Sequence, residues 1–233
     1  MDLTKMNNPI NRYLDHAVLK PEMPIQEAHD AIAEGVAYKV KTVCVRPCDI
    51  PMAVKLSKGS ETDVCCVLAF PHGVIPTALK ESEAKLYIAL GVREIDMVAN
   101  YGYIRSHEWK LVLQDIAAVA SITKQAGILL KVIIETAMLT IGEIVKATEI
   151  CVEAGANYVK TSTGFNGEGA TEAGVKAMLD TAAGRILVKA SGGIRDRARA
   201  QLFVNMGCSR LGVGYNSTKA ICDETKLASR DDY

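Results

Sequence analysis

Two lysines stand where an amine could do covalent chemistry. Lys160, in NYVKTSTGF, and Lys189, in ILVKASGG, each close a short apolar run and are followed at once by small residues and glycine. A lysine at the mouth of a buried strand, with a second ammonium nearby, is biased toward the neutral amine. Desolvation and like charge both disfavour its cation. A neutral amine can attack a carbonyl carbon to form a Schiff base. Asp96 in REIDMVAN and Lys131 in LLKVIIE also interrupt apolar runs. Charges buried in strands are costly without partners, and Lys160 and Lys189 are the candidates. The set points to carbonyl chemistry, with a carboxylate to position a proton-carrying water.

These residues need a scaffold that ends many strands on one side. Short apolar runs occur at 13–19, 42–45, 64–70, 94–99, 129–135, 158–160, 186–189 and 211–213. Stretches with three- and four-residue apolar spacing alternate with them, as at 26–38, 77–90, 108–125 and 140–153. Several of these end in the glycine expected after a helix, at Gly91, Gly127, Gly155 and Gly207. Eight strands and about eight helices without a composition break predict an α/β fold, a single (β/α)₈ barrel over 1–233, with a short flexible tail at about 228–233. A doubly wound open sheet is the alternative. In a barrel of this kind chemistry gathers at the C-terminal strand ends. Those ends carry Asp15, Cys44, Asp96, Asn100, Lys131, Glu135, Lys160, Thr161, Ser162, Lys189 and Ser191, followed by Gly164, Gly192, Gly193, Gly212 and Gly214.

The bulk composition narrows the function classes. Lys+Arg and Asp+Glu are both 27, so no global field favours nucleic acid or an anionic membrane. No run approaches the length of a membrane span and the N-terminus lacks a secretion signal. The seven cysteines are scattered and read as reduced thiols of a cytoplasmic protein. Cys44 and Cys48 have a metal-like spacing but no matching cluster, so no metal is expected. Aromatics are only 5%, which leaves the core to Val, Ile, Leu and Ala.

Seven ordered segments resemble the deoxyribose-phosphate aldolase family of class I aldolases: LDHAVLKP at 14–21, TVCVRP at 42–47, FPHG at 70–73, EIDMV at 94–98, KVIIET at 131–136, AGANYVKTSTGF at 154–165 and VKASGGIR at 188–195. The resemblance implies a TIM barrel that cleaves 2-deoxyribose 5-phosphate to glyceraldehyde 3-phosphate and acetaldehyde, without metal or cofactor. It implies that Lys160 forms the Schiff base, that Lys189 lowers its pKa, and that Asp96 serves proton transfer. Asp15 and Cys44 match positions near the substrate, and Lys131 reads as part of the polar floor. Thr163, Gly164, Ser191, Gly192 and Gly193 match a phosphate-side ring of small residues. His16 and His72 read as structural.

Two departures bear on the substrate. After strand 8 the family carries small hydroxyl residues, whereas this chain has Gly214 and Tyr215; and Ala17 stands where many relatives have threonine. A related aldolase acting on a different or non-phosphorylated aldehyde therefore stays open. A pyridoxal-phosphate isomerase and a non-catalytic sugar-phosphate binding barrel are the readings from other classes. Some family members end in a tyrosine that assists proton transfer, which makes the terminal Tyr233 a candidate. Aldehyde and sugar-phosphate substrates and a homodimer or homotetramer complete what the resemblance implies.

Overall fold

The computed structural model describes residues 8–224, and Tyr233 lies outside them. Eight parallel strands close into a barrel in chain order: β1 (Leu14–Val18), β2 (Thr42–Val45), β3 (Asp63–Leu68), β4 (Glu94–Val98), β5 (Leu129–Ile133), β6 (Tyr158–Lys160), β7 (Leu187–Ser191) and β8 (Arg210–Gly214). The pairing of β8 with β1 leaves no sheet edge. Successive strand residues point to opposite faces. Outward residues such as Val43, Ile95, Leu130, Val159, Val188 and Leu211 join the main apolar core beneath the helices. The inward parity carries Asp15, Glu94, Asp96, Lys131, Lys160, Lys189 and Arg210. Each of these is at most 4% exposed, so the barrel interior is a buried charged layer.

The outer ring has nine helices among the described residues: α1 (Ile25–Ala37), α2 (Ile50–Ser57), α3 (Thr77–Ala89), α4 (Tyr101–Arg105), α5 (Trp109–Gln125), α6 (Ile141–Glu153), α7 (Glu172–Ala182), α8 (Arg197–Met206) and α9 (Tyr215–Asp223). The helix beyond the expected eight is α4, a five-residue turn after β4. Its start is fixed by the Asn100 side chain, which accepts from the Tyr103 N–H, so Asn100 is used as a helix cap. Gly91, Gly127, Gly155 and Gly207 all have positive φ at helix ends, as their positions required. A capping box of Thr140 and Glu143 starts α6.

Two strands run further than the apolar runs indicated. β7 continues to Ser191 and β8 starts at Arg210 and ends at Gly214, because ladder pairing of Ser191 with Gly212 and of Lys189 with Arg210 carries polar residues and glycine along. Four strands stop earlier, β1 at Val18, β3 at Leu68, β4 at Val98 and β5 at Ile133. Ala69 after β3 and Glu135 after β5 both adopt left-handed backbone, with φ of 53° and 58°, which turns the chain out of the sheet. No helix among the described residues is long and apolar enough to cross a membrane.

Candidate active site

Strand register places the charges. Asp96 lies beside Lys131 on the β4–β5 ladder, Lys160 beside Lys189 on β6–β7, and Lys189 beside Arg210 on β7–β8. Closure of the barrel brings Asp15 of β1 alongside Gly212 of β8. Gly212 is needed there, since a Cβ would stand 2.7 Å from Ser191 Cβ and 3.2 Å from Lys189 Cε. A larger residue would push the Lys189 side chain from its seat.

Asp96 is the hub. Its Oδ1 accepts from Lys131 Nζ at 2.7 Å, and its Oδ2 accepts from both Lys160 Nζ and Lys189 Nζ, each at 2.7 Å. Lys189 also donates to Asp15 Oδ2. Lys131 pairs with Glu94 Oε2 at 2.6 Å. Arg210 donates to Asp15 Oδ1 at 2.6 Å and grips Glu94 with both terminal nitrogens, at 2.8 and 3.1 Å. Four basic side chains thus face three carboxylates in one buried network. Lys131, Lys189 and Arg210 each contact at least two carboxylates, whereas among the described residues Lys160 contacts Asp96 alone.

The network fixes protonation states. Burial would raise the Asp15 carboxyl, but Arg210, Lys131 and Lys189 outweigh it and hold the group well below the usual carboxylate range. Burial likewise opposes ionisation of Asp96, and Lys131, Lys160 and Lys189 overcome it. Lys189 is pushed up: burial disfavours its charge, but Asp15 and Asp96 more than compensate. Lys131 follows the same pattern. Lys189 is therefore a standing cation that shares a carboxylate oxygen with Lys160.

Cys44, Cys65 and Asp96 offer donor atoms within 4.8 Å of one another. Lys131 Nζ occupies that corner, 3.3 Å from Cys65 Sγ, and burial first of all drives the Cys65 thiol well above its ordinary range. A protonated thiol beside an ammonium is a poor metal ligand. Cys44 instead packs with Ala17, Leu19, Cys65 and Val67, against which Phe70 and Phe165 lie. Those two rings meet edge to face at 5.1 Å, on the wall of an apolar recess of about 260 Å³.

The residues expected on the phosphate side form a second assembly. Ser191 Oγ donates to Ser162 O at 2.6 Å and Thr161 Oγ1 donates to Ser191 O at 3.0 Å, tying the ends of β6 and β7. Thr163 donates to Glu135 Oε2 at 2.5 Å, and Asn166 Nδ2 donates to the same oxygen at 3.1 Å. Glu135 thereby moors the loop that carries Gly164. Gly169 and Gly192 pack backbone to backbone: a Cβ on Gly169 would lie 2.2 Å from Gly192 C. One recess is lined by Gly164, Gly167, Glu168, Gly169, Gly192, Gly193 and Arg195. A narrower one, about 30 Å³, lies among Gly193, Arg195, Gly212, Gly214, Tyr215 and Ser217, at the start of α9.

Lys160, Lys189, Asp96, Lys131 and Asp15 thus meet in one cluster, while Thr163, Gly164, Ser191, Gly192, Gly193, Gly214 and Tyr215 line or brace the adjoining loops. Sequence reasoning passed over Glu94, Arg210 and Arg195, and it named Glu135 only as a strand-end residue. Glu94 and Arg210 share strand parity with Asp96 and Gly212, a signal that period-two counting would have caught.

His16 points outward and ties the site to the shell. Its Nε2–H donates to Ala31 O at 2.8 Å, so its bare Nδ1 accepts from Thr218 Oγ1 at 2.7 Å, joining β1 to α1 and α9. Burial is the main cause that lowers its pKa from 6.5 to about 4. The unfolded state therefore binds more protons between these values, and stability falls as pH drops through that window. The loss should total about 3 kcal/mol by pH 4. The buried carboxylates Asp15 and Asp96 add their own loss only at lower pH, because their folded values lie below the ordinary 3.8. Urea unfolding at pH 7 and pH 4.5 should show the loss in the wild type and a much smaller one in His16→Asn. Equal losses would assign the effect elsewhere.

The DeoC/LacD family aldolase pattern matches residues 1–211. A deoxyribose-phosphate aldolase of Natranaerobius thermophilus is 44% identical over 205 residues, covering 88% of this chain and 93% of the relative. One from Lactococcus lactis is 41% identical over 224 residues, covering 96% and 99%. Among solved structures, an aldolase designated QR15 superposes with a TM-score of 0.86 at 36% identity, covering 92% of this chain and 95% of that one. The deoxyribose phosphate aldolase of Aeropyrum pernix, described as a tetramer, gives 0.84 at 25% identity, covering 92% and 90%.

Proposed function

The chain belongs to the DeoC/LacD family of aldolases, and from that premise we propose that it cleaves 2-deoxy-D-ribose 5-phosphate to D-glyceraldehyde 3-phosphate and acetaldehyde, and runs the reverse addition. The observation that carries the reading is the sharing of Asp96 Oδ2 by Lys160 and Lys189. A buried network of four bases and three acids holds one positive charge too many, which is costly in a medium of low polarity. Among the described residues Lys160 has the fewest carboxylate partners of the four bases, and it is the one assigned here as the nucleophile.

The steps follow from a neutral amine at that place. Lys160 Nζ adds to the C1 carbonyl of the open-chain sugar, and loss of water leaves an iminium ion. The C2–C3 bond then breaks as the C3 hydroxyl gives up its proton, and the bonding pair moves through C2 to the iminium nitrogen as an enamine. Asp96, acting through a water, accepts the hydroxyl proton and supplies one to C2. Hydrolysis releases acetaldehyde and restores Lys160. The imine is itself the electron sink, so the sequence needs no metal or cofactor. Lys189 keeps the local charge positive when Lys160 is neutral, and Lys131 and Arg210 hold Asp96 and Asp15 in place.

The phosphate is proposed to sit against Gly193, Arg195 and Gly214. The helix α9 begins there with no side-chain cap, leaving its first N–H groups for an anion. Tyr233, as a late proton donor, belongs to the proposal on the family resemblance alone. Assembly into two or four copies rests on the resemblance together with Leu79 and Leu86, 53% and 56% exposed on α3. A cytoplasmic location is supported by seven unpaired thiols.

Borohydride trapping with acetaldehyde, mapped by peptide mass spectrometry, tests the mechanism beside assays on deoxyribose with and without the 5-phosphate. An adduct on Lys160 with turnover of the ester is the expected result. An adduct without that turnover would overturn the substrate, and no adduct would overturn the Schiff base.

A further inference from the structure

We infer that Tyr215, braced by Glu27 and Lys20, is a specificity wall that limits how long a phosphorylated aldehyde the site accepts. This rests on the aldolase reading above and deepens it. Tyr215 is the first residue of α9 and lines the narrow recess together with Gly193, Arg195 and Gly214. A serine here would leave that edge of the recess wider than the bulkier Tyr215 does. The ring is also held from outside the barrel. Its hydroxyl donates to Glu27 Oε1 of α1 at 2.8 Å, and Lys20 Nζ, just past β1, stands 6.0 Å from the ring centroid, at the outer limit of a cation–π contact.

Three consequences follow from this geometry. First, the side chain of Tyr215 is directed at α1, so the anion is left to the backbone N–H groups of the loop and of α9, and to Arg195. Second, the ring position is set by a contact on the solvent side of α1, where Glu27 is exposed. Third, the space at the recess is small, about 30 Å³, so one further carbon between the reacting carbonyl and the phosphate would press the longer ester toward Tyr215. Selectivity between the two lengths therefore depends on how firmly the ring is braced.

The test compares kcat/KM for 2-deoxy-D-ribose 5-phosphate with that for 2-deoxy-D-ribo-hexose 6-phosphate. The latter keeps the configuration at C3 and C4 and would give acetaldehyde and a tetrose phosphate. In Tyr215→Ser the ratio of the six-carbon to the five-carbon substrate should rise at least tenfold, mostly through KM. Tyr215→Phe keeps the ring without the tether and should fall between it and the wild type. Glu27→Ala, on an exposed helix face, should match Tyr215→Phe, and the double variant should add nothing further. A ratio within threefold of the wild type in Tyr215→Ser overturns the inference, as does a Glu27→Ala enzyme that leaves the ratio unmoved. Failure of the aldolase reading would show separately, as a wild-type enzyme that cleaves neither ester.

Discussion

Lys160→Ala is expected to reduce retro-aldol turnover on the order of 10⁶-fold, the scale on which an enzyme loses its covalent nucleophile. Borohydride should then trap no adduct at all. The stability of this variant is as informative as its activity. Deleting one base leaves Lys131, Lys189 and Arg210 against Asp15, Glu94 and Asp96, a balanced set of three and three. The midpoint of thermal unfolding should therefore hold or rise, even though a buried side chain has been truncated. Measured together, a dead but stable protein supports the charge argument. Residual turnover above a few per cent would place the nucleophile elsewhere, and a large fall in the midpoint would show that Lys160 is held as a cation the fold requires.

Asp96→Asn is expected to do the opposite to stability. It leaves four bases facing two carboxylates and asks a neutral amide to accept from three lysines at once. Breaking a buried ionic set by removing one member costs about 3–5 kcal/mol, a fall in melting temperature of roughly 10 °C for a chain of this size. Activity should be lost as well, since no carboxylate remains to carry the proton. Adding Lys131→Met to Asp96→Asn removes one surplus charge and should recover much of the stability while leaving the enzyme inactive. If the single variant melted like the wild type, Asp96 would not be the hub of the network.

How far such a site can be read from sequence depends on which contacts are local. Lys160 and Lys189 were legible because a charged residue closing an apolar run is unusual wherever it occurs, and both strands carried that signature. Asp96 and Lys131 were legible for the same reason. Glu94 and Arg210 lie one layer deeper on the same inward parity, at the start of their strands, where a charge looks like an ordinary strand terminus. Their meeting, and that of Arg210 with Asp15, depends on barrel closure, which joins residues far apart in the chain. Asn100 resembled a site residue because it follows a strand, but its side chain is consumed by the cap of α4. At Tyr215 the sequence revealed an unusual residue for its place, though the direction of the ring depended on Glu27, whose helix had first to be packed.

The close approach of Gly169 and Gly192 bears on how this enzyme can diversify. A methyl group on either would meet the other's backbone, at 2.2 Å from Gly169 and 2.8 Å from Gly192. Neither position accepts a larger residue with both loops left in place, so this stretch of backbone resists change by single substitutions. New substrates must be reached by altering side chains at the rim, where Tyr215 stands, while the glycine seam is inherited whole.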